Sequence, residues 1–317
     1  MQLPQIVSIG EPLIQLNAVS TGPLRYNNYF EKHIAGAELN FCVGVRRSGF
    51  SSGLIGRVGE DEFGLNILQY LAAEGVDTSQ IRVVKEMYTG VYFIQRGYPV
   101  PGKSVMFYYR KNSAGSTLCP EDVKYSYITE AKLVHLTGIT PALSDTAREA
   151  WLRMLEAAKK AEAMVSLDTN IRTKLWNADE ARELLKPAVD KADILLTDPD
   201  DMQILYGSSE IDLLAKQLIA NGIQIVVVKL GPKGSKAYTK DGFYEHGQYQ
   251  VPVVDPVGAG DAFASLFVSK ILKGWSVEKA LEAATVAGSL VVTRRGDNEN
   301  IPSEEDIKSF LDSMSGG

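Results

Sequence analysis

The chain has only two cysteines among its 317 residues, Cys42 and Cys119, far apart and without a C-x-x-C spacing. That excludes a disulfide framework and a cysteine-based zinc site, and it suits a reducing, cytoplasmic setting. No apolar run approaches the ~18 residues that span a bilayer, and "MQLPQIVSIG" lacks the basic start and apolar core of a secretion signal. Charge of one sign is not concentrated either. The 33 basic and 39 acidic residues give a formal charge of -6 with no block of like charges, so a nucleic-acid stripe or a polybasic membrane patch is not expected. A small-molecule partner is.

Two familiar glycine loops are missing as well. No G-x-x-x-x-G-K-[ST] occurs, "GPKGSK" at 231–236 being too short. A dinucleotide fingerprint fails at its third glycine, where Gly258-x-Gly260 is followed by Phe263. An NAD-dependent dehydrogenase is disfavoured on that ground.

What is present is an alternation. Short Val, Ile and Leu runs recur at "IVSIG", "SGLIGRVG", "AKLVHLTG", "AMVSLDTN", "ADILLTDP" and "IQIVVVKLG". Between several of them lie segments such as "DTAREAWLRMLEAAKKAE" and "IDLLAKQLIANG", apolar every three or four residues. This predicts an α/β chain with a mostly parallel sheet covered on both faces and ligands beyond the strand C-termini. Two aromatic-rich stretches depart from the rhythm and read as hairpins with one wet face. We expect them to form a small β lid from excursions at about 11–35 and 89–113 of a single domain spanning 1–317.

The stretch "DPVGAGDAFASLFVSKILKG", residues 255–274, opens a helix near Gly258 to Asp261. A helix start offers unpartnered N–H groups and the positive end of the dipole, and glycines let an anion come close. The turn is therefore a phosphate site, with Asp255 and Asp261 bracketing it. The plainer alternative is a tight bend with Asp261 as an ordinary first-turn carboxylate. An aspartate there is expected to be ionised with an ordinary pKa.

These residues resemble the ribokinase-like (PfkB-type) carbohydrate kinases. "DPVGAGDAF" is similar to their C-terminal D-T-x-G-A-G-D signature, "GRVGEDEFG" at 56–64 to an internal motif, and "AGAELN" at 35–40 to an N-terminal glycine motif. "SLDTNIRTKLW", "GEPLIQLN", "YFIQRGYPVP" and "RRGDNE" resemble the 2-keto-3-deoxygluconate kinases within that family, of the archaeal type. The resemblance implies a ribokinase-like three-layer fold with a β lid. It also implies an ATP- and Mg²⁺-dependent transfer to the C6 hydroxyl of 2-keto-3-deoxygluconate, with its C4 epimer 2-keto-3-deoxygalactonate also open. Fructokinase-like, ribokinase-like or nucleoside kinase activity is the alternative.

The same resemblance implies residue roles. Asp261 is the base, and the backbone of Gly258, Ala259 and Gly260 with Asp261 forms the anion hole. Gly36, Asn40, Tyr92, Tyr108, Arg110, Arg172 and Asp297 contact the acceptor; Arg172 suits a carboxylate or phosphate through its bidentate fork. Asn170, Arg172, Asp198, Lys229, Gly231, Lys233, Gly234, Gly258, Gly260, Ala284 and Gly288 serve the nucleotide. No protein group is expected to bind metal directly. Asp198 and Asp201, standing where the family has N-x-x-E, act on Mg²⁺ through water. Asp168, Asn170 and Arg172 point one way if the chain stays extended there. Exposed lid residues, Tyr26, Tyr29, Phe30 and Phe107 among them, predict a homo-oligomer joined through the lids.

Overall fold

The computed structural model describes residues 3–208 and 210–315. Its strands are β1 (Ile6–Ile9), β2 (Leu13–Ala18), β3 (Phe30–Ala35), β4 (Ser52–Gly59), β5 (Ile81–Val84), β6 (Val91–Arg96), β7 (Ser104–Tyr109), β8 (Leu133–Thr137), β9 (Met164–Asp168), β10 (Ile194–Thr197), β11 (Ile225–Lys229), β12 (Ser235–Thr239) and β13 (Gly242–His246). The helices are α1 (Ala37–Arg47), α2 (Glu62–Ala73), α3 (Tyr125–Ile128), α4 (Asp145–Lys160), α5 (Ala178–Val189), α6 (Pro199–Tyr206), α7 (Ile211–Ala220), α8 (Ala259–Leu272), α9 (Val277–Val291) and α10 (Glu304–Ser315).

All six apolar runs form strands of one sheet, ordered β13-β12-β11-β10-β9-β8-β1-β4-β5. From β11 to β5 the neighbours run parallel, and β12 and β13 return antiparallel at one edge. Because side chains alternate across a strand, β11 divides its residues between two cores. Val226 and Val228 join Trp151, Leu185 and Leu218 of α4, α5 and α7. Ile225 and Val227 join Phe41 of α1, Phe267 of α8 and Val286 of α9 on the other face. The result is a helix–sheet–helix sandwich. Helix α8 is buried without a break from Ala262 to Lys270, which explains its lack of a polar face. No helix among the described residues is long and apolar enough to cross a membrane.

The aromatic stretches form a second sheet, ordered β3-β2-β6-β7. Each hairpin is antiparallel, and β2 and β6 join them in parallel. Gln15 pairs with His33 on one side and Tyr92 on the other, and Tyr92 pairs with Tyr108. Alternation then gives the sheet two characters. Tyr92 is buried and Tyr108 half-buried on the face toward the large sheet, while Phe30, Phe93 and Tyr109 stack edge to face on the other. Tyr26 and Tyr29 are exposed, but Phe30 is half-buried against Phe93, so it belongs less to the open surface than expected.

Candidate active site

A cleft of about 650 Å³ lies between the lid and the C-terminal ends of the large sheet's strands. Its floor is the start of α8. Five helices begin with a side-chain cap: Asp61 on α2, Ser144 on α4, Asn177 on α5, Asp198 on α6 and Ser276 on α9. Helix α8 begins at Gly258, which has φ +80° and no capping side chain. A Cβ at Gly258 would strike the Asp297 carbonyl, so only glycine fits. The first-turn amides of Ala259, Gly260 and Asp261 have no intrahelical acceptor and line the cleft. Gly36, at φ +131°, starts α1 in the same uncapped way and also lines it.

Opposing charges gather beside this floor. Lys229, ending β11, reaches Asp168, ending β9, at 2.6 and 2.8 Å. Burial works against the Lys229 ammonium, but Asp168, together with Asp198 and Asp261, raises its pKa. Asp261 accepts from Asn40 Nδ2 at 2.8 Å. Burial pushes the Asp261 carboxyl up to about 7; the Asn40 hydrogen bond opposes this, Asp168 adds to it, and Lys229 and Arg172 oppose it. The expected ordinary pKa is thus corrected, because desolvation of the charged form exceeds what the helix start returns.

The lid end is a network of buried polar side chains. Asp297 accepts from Tyr92 Oη at 3.0 Å, from Gln15 Nε2, and from Asn40 Nδ2 at 3.4 Å. Burial lifts its carboxyl to about 8, and the neighbouring Asp261 adds to the rise. Arg110 gives Nε and Nη2 to the buried Glu11 at 2.6 and 2.5 Å, with its guanidinium 5.7 Å from the centre of the Tyr108 ring. Sequence reasoning missed Gln15 and Glu11. The stretch "GEPLIQLN" holds both, but nothing local marks their partners, Arg110 for Glu11 and Tyr92 and Asp297 for Gln15, 77 to 282 positions away.

Of the residues singled out, Gly36, Tyr92, Tyr108, Arg110, Asn170, Arg172, Asp198, Lys229, Gly231, Gly234, Gly258, Ala259, Gly260, Asp261, Gly288 and Asp297 all line this cleft. Asn40 lies just beneath it, holding Asp261. Four expectations need correction. Ala284 is wholly buried, and Thr285 and Gly288 of α9, with Val292 just after its end, line the cleft instead. Lys233 is exposed at the tip of its turn, outside the cleft wall. Asp201 is buried and bonded to Thr169 Oγ1 at 2.6 Å and Ile171 N at 3.1 Å, so it faces the interior rather than an ion; burial and nearby Asp198 raise its pKa to about 6. Asp255 turns away from the phosphate floor toward the lid, bonding Asn17 Nδ2 at 2.6 Å with Arg96 at 3.9 Å.

The 168–172 segment does not stay extended. Asn170 has φ +35°, which bends the chain so that Asn170 and Arg172 line the cleft while Asp168 is taken up by Lys229. Beyond it, Lys174 Nζ donates to the Met106 carbonyl at 2.8 Å and ties this loop to the lid. The irregular stretch 248–253 walls the other end through Gln248, Tyr249 and Gln250, a contribution no motif announced.

Residues 3–304 match the pfkB family carbohydrate kinase description. The chain belongs to the pfkB family of carbohydrate kinases. This kinase is 46% identical over 311 residues to the 2-dehydro-3-deoxygluconokinase of Thermoproteus tenax, covering 98% of this chain and 94% of that protein. It is 35% identical to the 2-dehydro-3-deoxygluconokinase of Bacillus subtilis, covering 96% and 94%. Among solved structures it resembles the E. coli ribokinase II in complex with ATP and Mg²⁺, with a TM-score of 0.91, 27% identity, and coverage of 98% of this chain and 100% of that one.

Proposed function

We propose that this kinase transfers the γ-phosphoryl group of ATP to the C6 hydroxyl of 2-dehydro-3-deoxygluconate, also called 2-keto-3-deoxygluconate. The observation that carries it is the placement of Asp261 on the uncapped start of α8, between the cationic Arg172 and Lys229 and the buried Asp297 network. The two kinases of that name in T. tenax and B. subtilis support the acceptor.

The residues suit this chemistry. Phosphoryl transfer needs positioning and charge stabilisation more than covalent help. Asp261 takes the proton of the acceptor hydroxyl as it attacks. With a carboxyl poised near neutrality, it is a stronger base than an ordinary aspartate. The amides of residues 259–261 face the charge on the migrating group, and Arg172 neutralises phosphate or the acceptor's carboxylate. Tyr92, Tyr108, Arg110 and Asp297 receive the acceptor, and glycines 231, 234 and 288 leave room for the nucleotide. Asp198 spends Oδ1 on the Asp201 amide at 2.8 Å, which leaves its other oxygen for the hydration shell of Mg²⁺. When bound, Mg²⁺ supplies charge neutralisation at the phosphates.

The test is ADP release over a panel of acceptors that includes 2-keto-3-deoxygalactonate, fructose, ribose and a nucleoside. Preference for a neutral sugar or nucleoside would overturn the acceptor assignment. We also propose that subunits meet through the lids, where Tyr26 and Tyr29 are about three-quarters exposed. Sedimentation as a monomer at micromolar concentration would refute that.

A further inference from the structure

The base is gripped by a chain of amides whose direction is fixed from the lid. Asn298, 1% exposed, gives Nδ2 to the Ile34 carbonyl of β3 at 3.0 Å and to Asn40 Oδ1 at 2.7 Å. A backbone carbonyl only accepts, so the NH₂ of Asn298 must face it. The same NH₂ meets Asn40, so the oxygen of Asn40 is consumed there and its own NH₂ is turned toward Asp261 at 2.8 Å and Asp297 at 3.4 Å. At the far end, Tyr70 of α2 donates Oη–H to Asn298 Oδ1 at 2.6 Å. Burial and nearby Glu74 raise the Tyr70 pKa, so it remains a donor throughout the working range.

We propose that Asn298 is a positioning residue for the phosphotransfer: it locks Asn40 in the one amide orientation that donates to Asp261. If Asn40 reversed, its carbonyl oxygen would face two carboxyls and favour their protonated forms. The groups facing Asp261 are Asn40 from α1, Asp168 from β9, Lys229 from β11, Arg172 from the loop after β9, and Asp297 from the loop after α9. Of these, Asn40 alone is a neutral amide whose effect changes sign with its orientation. The lock also starts on a lid strand, so the strand's seating and the state of the base are joined by three hydrogen bonds.

This inference rests on Asp261 being the base, and the experiment separates the two. The pH dependence of kcat/KM is measured by ADP release between pH 5.5 and 9.5 for the wild type, Asn298→Ala, Tyr70→Phe and Asp261→Asn. For Asn298→Ala the acid limb is expected to move up by about one pH unit, with the alkaline plateau within about threefold of wild type. Tyr70→Phe should move it the same way by about half a unit. A folded Asn298→Ala protein whose limb stays in place, or whose activity falls equally at every pH, overturns the proposal. Should Asn298→Ala fail to fold, the direction of the Tyr70→Phe limb decides, and an unmoved limb overturns it. If Asp261→Asn keeps near-wild-type turnover, the base assignment fails, and this proposal with it. If Asp261→Asn is inactive while both other limbs are unmoved, only the amide lock is wrong.

Discussion

The two ends of the cleft are built on opposite plans. At the lid end, buried side chains from distant segments hold one another: Gln15, Tyr92 and Asn40 converge on Asp297, and Glu11 clamps Arg110. At the other end the wall includes glycines 231, 234 and 288 and the irregular 248–253 stretch, with no such convergence, among the described residues, of buried side chains from distant segments on one carboxylate. A sugar differs from its relatives by the placement of hydroxyls and a carboxylate, which calls for fixed polar partners. A triphosphate offers repeated charge, which backbone amides and glycines can meet without side-chain detail. On the proposed assignment of acceptor and nucleotide to the two ends, specificity is concentrated where the polar network is buried, and tolerance where it is not.

Substitutions should expose this asymmetry. Asp261→Asn, where the two ends meet, should lower kcat by about 10³-fold or more in steady-state assays. Asp297→Ala should raise the acceptor KM by about 10–100-fold while leaving the ATP KM within a few-fold, since it removes a partner at one end only. In the wild type, kcat/KM should fall about tenfold per unit below pH about 7, where Asp261 becomes protonated. Lys233→Ala, at the exposed turn, should change the ATP KM by no more than about threefold.

The same carboxyls predict an inverted pH dependence of stability in the ligand-free protein. Asp261 and Asp297 bind protons more tightly folded than unfolded, because burial raises both, to about 7 and about 8. Folding is therefore favoured as pH falls from about 8 toward the unfolded carboxylate range, and that advantage is lost as pH rises through the folded values. Thermal melts at pH 5.5 and 8.5 should show it, with the difference reduced in an Asp261→Asn, Asp297→Asn double variant.

Much of the fold was legible, because β-branched runs and helical periodicity report local preferences that the tertiary structure keeps. The strands of the large sheet and the glycine-opened α8 are where those patterns put them. The lid was visible through its alternating aromatics, and Tyr108 faces the cleft while Tyr109 points out, as alternation requires. Site detail was less legible, for two reasons. Spacing along a chain says nothing of where a turn sends a side chain, so Asp255 was read toward the phosphate when it faces Asn17 and Arg96. Pairs such as Lys229 with Asp168, 61 positions apart, and Asn298 with Asn40, 258 apart, exist only once the sheet and lid have formed. The raised pKa of Asp261 has the same origin, since burial by remote segments cannot be read from a first-turn position.

The central claim is best tested by following the phosphorylation of 2-dehydro-3-deoxygluconate with ATP and Mg²⁺ by phosphorus NMR, for the wild type and Asp261→Asn side by side. The account predicts a phosphate ester on the terminal CH₂ with the wild type and essentially none with the variant. A phosphate at another carbon, no ester from the wild type, or comparable turnover by the variant would contradict it.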